Sequence, residues 1–251
     1  MTAMTPEKTE GLIIRLANFS ETSQVVTFFT REHGKVAALA KGGKRLKSSF
    51  EAALDLLTAC RIVFLRKSSA SLDILTEAQL VFRFQPRKKS LGSLYGGYYV
   101  AELLDGLTEP YDPHPTLYDE ALTTLSRLAE ENDPKPIIAR FELLMLREIG
   151  HLPEFDRCVI CDQVPQAGND YSHWISQGGV ICQNCAKPEY RQQRIQAGTL
   201  AVLDKLANES TEVATRLVPS PQQVKEIHKI ALGSLSQLLG RRPKMLRYLP
   251  F

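Results

Sequence analysis

The chain has 251 residues, a formal net charge of +3 and 43% hydrophobic content, enough for one large domain or two to three small ones with real cores. No uncharged apolar run approaches the roughly 18 residues of a membrane helix. The start MTAMTPEKTE lacks the apolar centre of a signal peptide, so the sequence predicts a soluble cytoplasmic protein. The small net charge hides an asymmetry. Residues 1–90 hold 15 Lys/Arg against 8 Asp/Glu (+7), whereas 91–251 hold 16 against 20 (−4). A surface for polyanions is therefore expected in the N-terminal third. Five cysteines, four of them in two CxxC pairs, fit metal ligation in a reducing compartment better than a disulfide framework.

From Gly11 the residues Leu12, Ile14 and Leu16 alternate with Ile13, Arg15 and Ala17, which predicts a strand with one buried face and Arg15 on the other. The β-branched and aromatic run Gln24 to Thr30, the turn Arg31-Glu32-His33-Gly34 and the run Lys35 to Ala40 form a predicted hairpin. Beyond its return strand, Lys41, Lys44, Arg45 and Lys47 place four cations in seven residues, on a loop to which Gly42 and Gly43 give freedom. Cations at a sheet rim suit a phosphate backbone; the competing reading is an ordinary solvated surface.

Leu54 to Leu65 puts Leu54, Leu56, Thr58, Cys60, Ile62 and Phe64 on one face, with Cys60 as a small buried hydrophobe. After the polar break from Arg66 and Lys67 to Ser71, Leu72 to Phe84 reads as a strand with Leu72, Ile74, Leu80, Phe82 and Phe84 in phase. Five strands of this size favour a small closed barrel, because closure removes unpaired edges. Periodicity does not separate an OB-fold from an SH3-like barrel.

After Ser90 the period becomes helical. Leu91 to Leu107 is expected to turn Leu91, Leu94, Tyr98, Ala101 and Leu104 inward, with Gly96 and Gly97 either weakening the helix or permitting close packing. Thr116 is expected to cap a helix running to Glu131 with the stripe Leu117, Ala121, Leu122, Leu125 and Leu128. Pro136 opens a third helix with Ile137, Ile138, Phe141, Leu144, Met145 and Ile149 on its apolar face, closed by Gly150. Glu102, Asp105, Asp119, Glu120 and Glu142 have helical spacings that mimic an acid/base pair, yet solvated faces account for them.

The sharpest chemical signal is Cys158-Val-Ile-Cys161 followed, twenty residues later, by Cys182-Gln-Asn-Cys185. Two such hooks supply four thiolates to one tetrahedral ion, and the intervening Gly168, Tyr171, Trp174, Gly178 and Gly179 suit a returning hairpin. The prediction is one structural zinc ion in a zinc-ribbon-like module, with redox or iron–sulfur chemistry as alternatives. Four thiolates leave no open position for activated water. His173 between the hooks is expected at the surface. Residues 196–208 and 221–239 return to helix, the second with Ser220 as N-cap, Pro221 at its first position and a stripe of Val224, Ile227, Ala231, Leu235 and Leu238. The tail from Gly240 to Leu249 carries four cations among apolar residues, and reads equally as part of a nucleic-acid track or as a packed end.

The blocks GLIIRLANFSETSQVVTFFTREHGKVAALAKGGKR, LDILTEAQL, LYGGYYVAELLDGLTEPYDPHPTLYDEAL and FELLMLREIGHLPEFDRCVIC, in this order, resemble the RecO family of bacterial recombination mediators. The likeness implies an α+β multidomain chain. An N-terminal five-stranded OB-fold for DNA is expected at 1–84 and a helical domain at 85–155 and 189–251, with a four-cysteine zinc module at 156–188. It also implies binding of single- and double-stranded DNA, annealing of complementary strands and, with RecR, help for RecA in replacing single-strand-binding protein (SSB), whose C-terminal tail meets the helical domain. A cytoplasmic, nucleoid-associated protein with no membrane partner follows from that role. Arg15, Arg31, Lys35, Lys41, Lys44, Arg45, Lys47, Arg66 and Lys67, at strand edges and loops, are the candidate DNA contacts.

No enzyme reading finds its motif. Lys44-Arg45-Leu46-Lys47-Ser48 has Leu46 where a phosphate-binding loop needs glycine, and HExxH, GxSxG and deaminase signatures are absent. A non-enzymatic DNA mediator is expected. A zinc-stabilised protein adaptor with an incidental basic barrel, and a zinc-dependent hydrolase on nucleic acid, are the competing classes.

Overall fold

A computed structural model describes residues 5–45, 50, 53–67, 72–86, 90–174, 178–188, 194–214 and 216–251. Two compact units emerge: Met1–Asn132 with Pro243–Leu249, and Asp133–Arg242 with Pro250–Phe251.

In the first unit, β1 (Thr5–Asn18), β2 (Gln24–Thr30), β3 (Gly34–Ala40), β4 (Thr58–Arg66) and β5 (Asp73–Arg83) close into a barrel in the order β1-β2-β3-β5-β4. Every pairing is antiparallel except β3 with β5, which run parallel from Ala38↔Asp73 to Ala40↔Leu75. That single parallel contact decides between the two barrels left open by periodicity, in favour of the OB type. Ile13, Val26, Phe28, Val36, Ala38, Cys60, Ile62, Phe64 and Leu75 fill the interior, and Phe50 and Ala53 pack against them. Cys60 is a core residue as expected: burial pushes its thiol up to about 11, and its Sγ donates to the Ala53 carbonyl at 3.3 Å.

The simple alternation of β1 does not hold. A bulge between Ile13 and Arg15 resets the phase, so Ile13 and Leu16 both reach the barrel interior, while Leu12 and Ile14 are buried outside that cluster. In β5 the interior residue is Leu75 rather than Ile74, because a second irregularity lies between Val63 and Phe64 of the partner strand β4, and Leu80, opposite Cys60, is 45% exposed.

The same unit carries α1 (Leu91–Leu107) and α2 (Pro115–Glu130). Ser90 caps α1 by accepting from the Ser93 N–H. Gly97 lets α1 approach closely, since a Cβ there would lie 2.7 Å from the Phe84 ring and 2.8 Å from Leu57. Leu91 points outward instead of inward, at 63% exposure. The cap of α2 is His114 and not Thr116, because Pro115 already occupies the first helical position and its missing N–H is no loss there. The tail is packed. A 3-10 helix over Lys244–Tyr248 donates the Lys244 and Met245 N–H groups to the Glu102 carboxylate at 2.7 and 2.8 Å, and Tyr248 lies on Tyr95 with ring centres 5.0 Å apart.

The second unit contains α3 (Pro134–Glu148), α4 (Ala197–Asn208), the single turn α5 (Thr211–Ala214) and α6 (Pro221–Leu239). A four-stranded sheet of β6 (Glu154–Cys158), β7 (Asp170–Trp174), β8 (Gly179–Cys182) and β9 (Arg194–Gln196) has the order β6-β8-β7-β9. Helix α3 is buried on nearly all sides, packed by α4 and α6. Ser220 and Gln223 form a reciprocal capping box at the start of α6, and Gly240 ends that helix at φ +66°. The expected stripe of α6 holds from Val224 to Leu235, but Leu238 is 37% exposed.

Glu142 corrects the solvated-face expectation for the helical carboxylates. It has no exposed surface, and both its oxygens meet His228 Nδ1 at 2.8 and 2.9 Å. The Phe251 ring stacks on His228 with centres 3.5 Å apart and planes 9° from parallel. Glu102, Asp105 and Asp119 likewise have partners, a tail N–H pair, Lys35 with Arg15, and Arg31 respectively.

Candidate nucleic-acid interface and metal centre

The predicted barrel cations fall into three settings. Lys41, Lys44 and Arg45 are exposed on the turn that leaves β3. This turn is braced: Gly42, at φ +70°, donates its N–H to Ser23 Oγ at 3.3 Å, and the Lys44 N–H reaches the Thr22 carbonyl at 3.1 Å. Lys44 Nζ donates to the Ser20 carbonyl at 3.3 Å. The cationic turn is therefore held against the β1–β2 turn, and among the described residues Lys41, Lys44 and Arg45 make no ion pair. Lys47 lies outside the described residues.

The second setting is a cavity of about 650 Å³ on the β2–β3 side of the barrel, lined by Arg15, Lys35, Lys67, Asp73, Asp105 and Tyr111 among others. Lys35 Nζ donates to the Asp105 backbone carbonyl at 2.6 Å, and its ammonium is only 4.0 Å from the Asp105 carboxylate. Burial holds the Lys35 pKa below its usual value, against the pull of Asp105 and Glu109. Arg15 approaches the same carboxylate at 3.8 Å and donates from Nε to Thr27 at 3.4 Å. Two cations thus share one carboxylate. Asp73 is engaged separately, accepting from the Tyr111 hydroxyl and the Lys67 backbone N–H. Arg66 lies over the Tyr111 ring, 4.1 Å from its centre.

Tyr111 escaped the sequence reading. It sits in the loop after α1 at φ +60°, and the neighbouring Pro110 bridges to Lys35 of β3. Gly34 makes this docking possible, since at φ +63° any Cβ would collide with the Asp112 backbone. The Pro-rich stretch after α1 was legible as a turn; its return onto the barrel was not.

Arg31 is the third setting. It forms a bidentate pair with Asp119 of α2, both bonds at 3.0 Å, with Glu32 a further 3.7 Å partner. These carboxylates hold its guanidinium pKa above the ordinary value, first through the Asp119 hydrogen bonds.

In the second unit the four sulfurs of Cys158, Cys161, Cys182 and Cys185 converge, all within 4.8 Å of one another. A tetrahedral ion with metal–sulfur bonds near 2.3 Å requires sulfur–sulfur edges of about 3.8 Å. The observed Cys161–Cys182 separation is 3.7 Å. Each hook is folded by its backbone. The Asp162 N–H returns to the Cys158 carbonyl at 2.9 Å with Asp162 at φ +61°, and the Cys185 and Ala186 N–H groups return to the Cys182 carbonyl. Burial opposes ionisation of Cys158, but N–H groups of Cys182, Cys161 and Ile160 outweigh it and bring its pKa down to about 6. The Cys182 N–H is 3.3 Å from the Cys158 sulfur. Burial, then hydrogen bonds to the other sulfurs, push Cys185 up to about 12. The donor set and its spacing fit a metal ion. His173 corrects the surface expectation: it is buried in β7 opposite Val180, with Phe155 beside it, and stands apart from the sulfur cluster.

Residues 4–84 match the family model described as Recombination protein O N terminal, and residues 89–247 match Recombination protein O C terminal. The chain belongs to the RecO family. A protein named DNA repair protein RecO from Rhodopirellula baltica is 33% identical over 263 residues, covering 96% of this chain and 97% of that relative. The RecO of Syntrophus aciditrophicus is 29% identical over 99% of this chain and 97% of its own length. That of Listeria monocytogenes is 32% identical over 74% and 71%. The OB-type barrel of this RecO chain is the part matched by the N-terminal model. No helix among its described residues is long and apolar enough to cross a membrane.

Proposed function

We propose that this RecO chain is a DNA repair and recombination mediator that works without catalysis. It binds single- and double-stranded DNA through the barrel, anneals complementary strands and, with RecR, helps RecA replace SSB on single strands, the SSB tail meeting the helical unit. The observation that carries the DNA part is the exposed turn of Lys41, Lys44 and Arg45 beside the β2–β3 side of an OB-type barrel. Arg15, Lys35, Arg66, Lys67 and Lys47 extend the contact. Arg31, already committed to Asp119, and Lys35, half-buried against Asp105, contribute least.

The mechanism needs only charge. Two complementary strands repel through their phosphates, and a fixed cationic surface that neutralises both lowers the barrier to their meeting without reading sequence. The metal is one zinc ion held by Cys158, Cys161, Cys182 and Cys185, and it is structural: four thiolates complete the shell, so it supplies rigidity rather than an activated water.

An annealing assay with two complementary labelled strands, without nucleotide cofactor, tests the reading. The protein should accelerate duplex formation, and a Lys41→Glu, Lys44→Glu, Arg45→Glu variant should lose most of that acceleration. Normal annealing by the triple variant would remove the turn from the mechanism.

A further inference from the structure

Phe19, a large aromatic ring, is 60% exposed beside the cationic turn. It stands on the turn between β1 and β2. That turn is a closed hydrogen-bonded structure: the Phe19 and Ser20 N–H groups both reach the Ser23 carbonyl at 3.1 Å, and the Ser23 N–H returns to Ser20 Oγ at 3.1 Å. The ring is thus presented from a fixed backbone. The cationic turn is bonded directly to the same loop, through Lys44 Nζ on the carbonyl of Ser20, the next residue, and through the Lys44 N–H on Thr22.

We infer that Phe19 is a base-stacking platform, on which one unpaired base of a single strand lies while Lys41, Lys44 and Arg45 hold the adjoining phosphates. The inference rests on the DNA-binding reading and adds what that reading lacks, a group that distinguishes a single strand from a duplex. Cations alone bind any polyanion, whereas an exposed ring gains only when a base offers a free face, which duplex bases do not. Stacking engages the face of the base and leaves its pairing edge open. A strand held in this way can therefore pair with its complement, as annealing requires. Any base has a face, so no sequence preference follows.

The test uses the full chain and three labelled probes of equal length: a thymidine strand of roughly 16 nucleotides, the upper end of what one such barrel covers, the same backbone with every base removed, and a duplex. Phe19→Ala should weaken binding of the thymidine strand roughly five- to a hundredfold, the range expected for one lost stacking contact. Binding of the abasic strand and the duplex should stay within about twofold of the unmodified protein. Phe19→Trp should keep or strengthen thymidine-strand binding, and Phe19→Leu, which keeps the apolar surface without the ring, should behave as Phe19→Ala. Because the ring is mostly outside the core, circular dichroism and the unfolding midpoint of all three variants should match the unmodified protein. Unchanged binding of the thymidine strand by Phe19→Ala, or an equal loss on all three probes, would overturn the inference while leaving the DNA-binding reading intact. Failure of the unmodified protein to bind any probe would instead overturn that reading, and this inference with it.

Discussion

Glu142 shows how one residue can be misjudged from its spacing and then explained by its surroundings. With both oxygens on His228 Nδ1 and no exposed surface, it is half of a buried polar pair covered by the Phe251 ring. Removing Glu142 takes from the buried His228 its carboxylate partner, so Glu142→Ala should cost about 3 kcal/mol in a denaturant titration. Replacing both together, Glu142→Leu with His228→Leu, should restore much of that loss, because a well-packed apolar pair is often neutral. At the metal centre, thiols bound by protons must release them to bind an ion. Cys185, held up to about 12, carries its proton at neutral pH, whereas Cys158, near 6, is already mostly ionised. Metal affinity of the stripped protein should therefore rise with pH through the neutral range, and should drop further below about pH 6, where Cys158 also protonates. Calorimetric titration with zinc in buffers of different ionisation heat would register the released protons; affinity independent of pH would contradict the assignment. Chelation should likewise lower the unfolding midpoint.

At the scale of the element, the helices were the most legible. The bounds of α1 and α6 follow from Ser90, Ser220, Pro221 and Gly240, and the caps form as the residues dictate. The strands were less so, for a physical reason: a bulge costs no signature residue, yet it shifts every side chain beyond it to the other face, as at Ile13 and Arg15. Gly97 marks the point at which tertiary packing overrides propensity. Ala is worth about 1 kcal/mol more than Gly in a helix, but a Cβ 2.7 Å from the Phe84 ring imposes an overpacking cost of about 1–3 kcal/mol. Gly97→Ala should therefore destabilise the chain, as judged from its thermal midpoint. A gain in stability would mean that Phe84 and Leu57 yield easily.

For the whole molecule, the charge imbalance and the two CxxC hooks were readable because both are local in sequence. The division of the chain was harder to see. Helices α1 and α2 and the 3-10 tail lie within the barrel's unit, and the second unit begins at Asp133, since contacts such as Glu102 with Lys244 span more than a hundred residues and leave no periodic trace. The cavity around Lys35 and Asp105 was invisible for the same reason, assembled from β1, β2, β3, β5, α1 and the loop carrying Tyr111. On the proposed function, charge on the barrel supplies most of the hold on either form of DNA, with Phe19 adding only to single strands. Fluorescence anisotropy of a labelled single strand across roughly 50–200 mM salt measures this directly. Log affinity should fall linearly with log salt at about −0.7 per phosphate contacted, and the slope should be shallower by about 2 in the Lys41→Glu, Lys44→Glu, Arg45→Glu variant. Affinity that ignores salt, or a slope unchanged by those three substitutions, would contradict this role of charge.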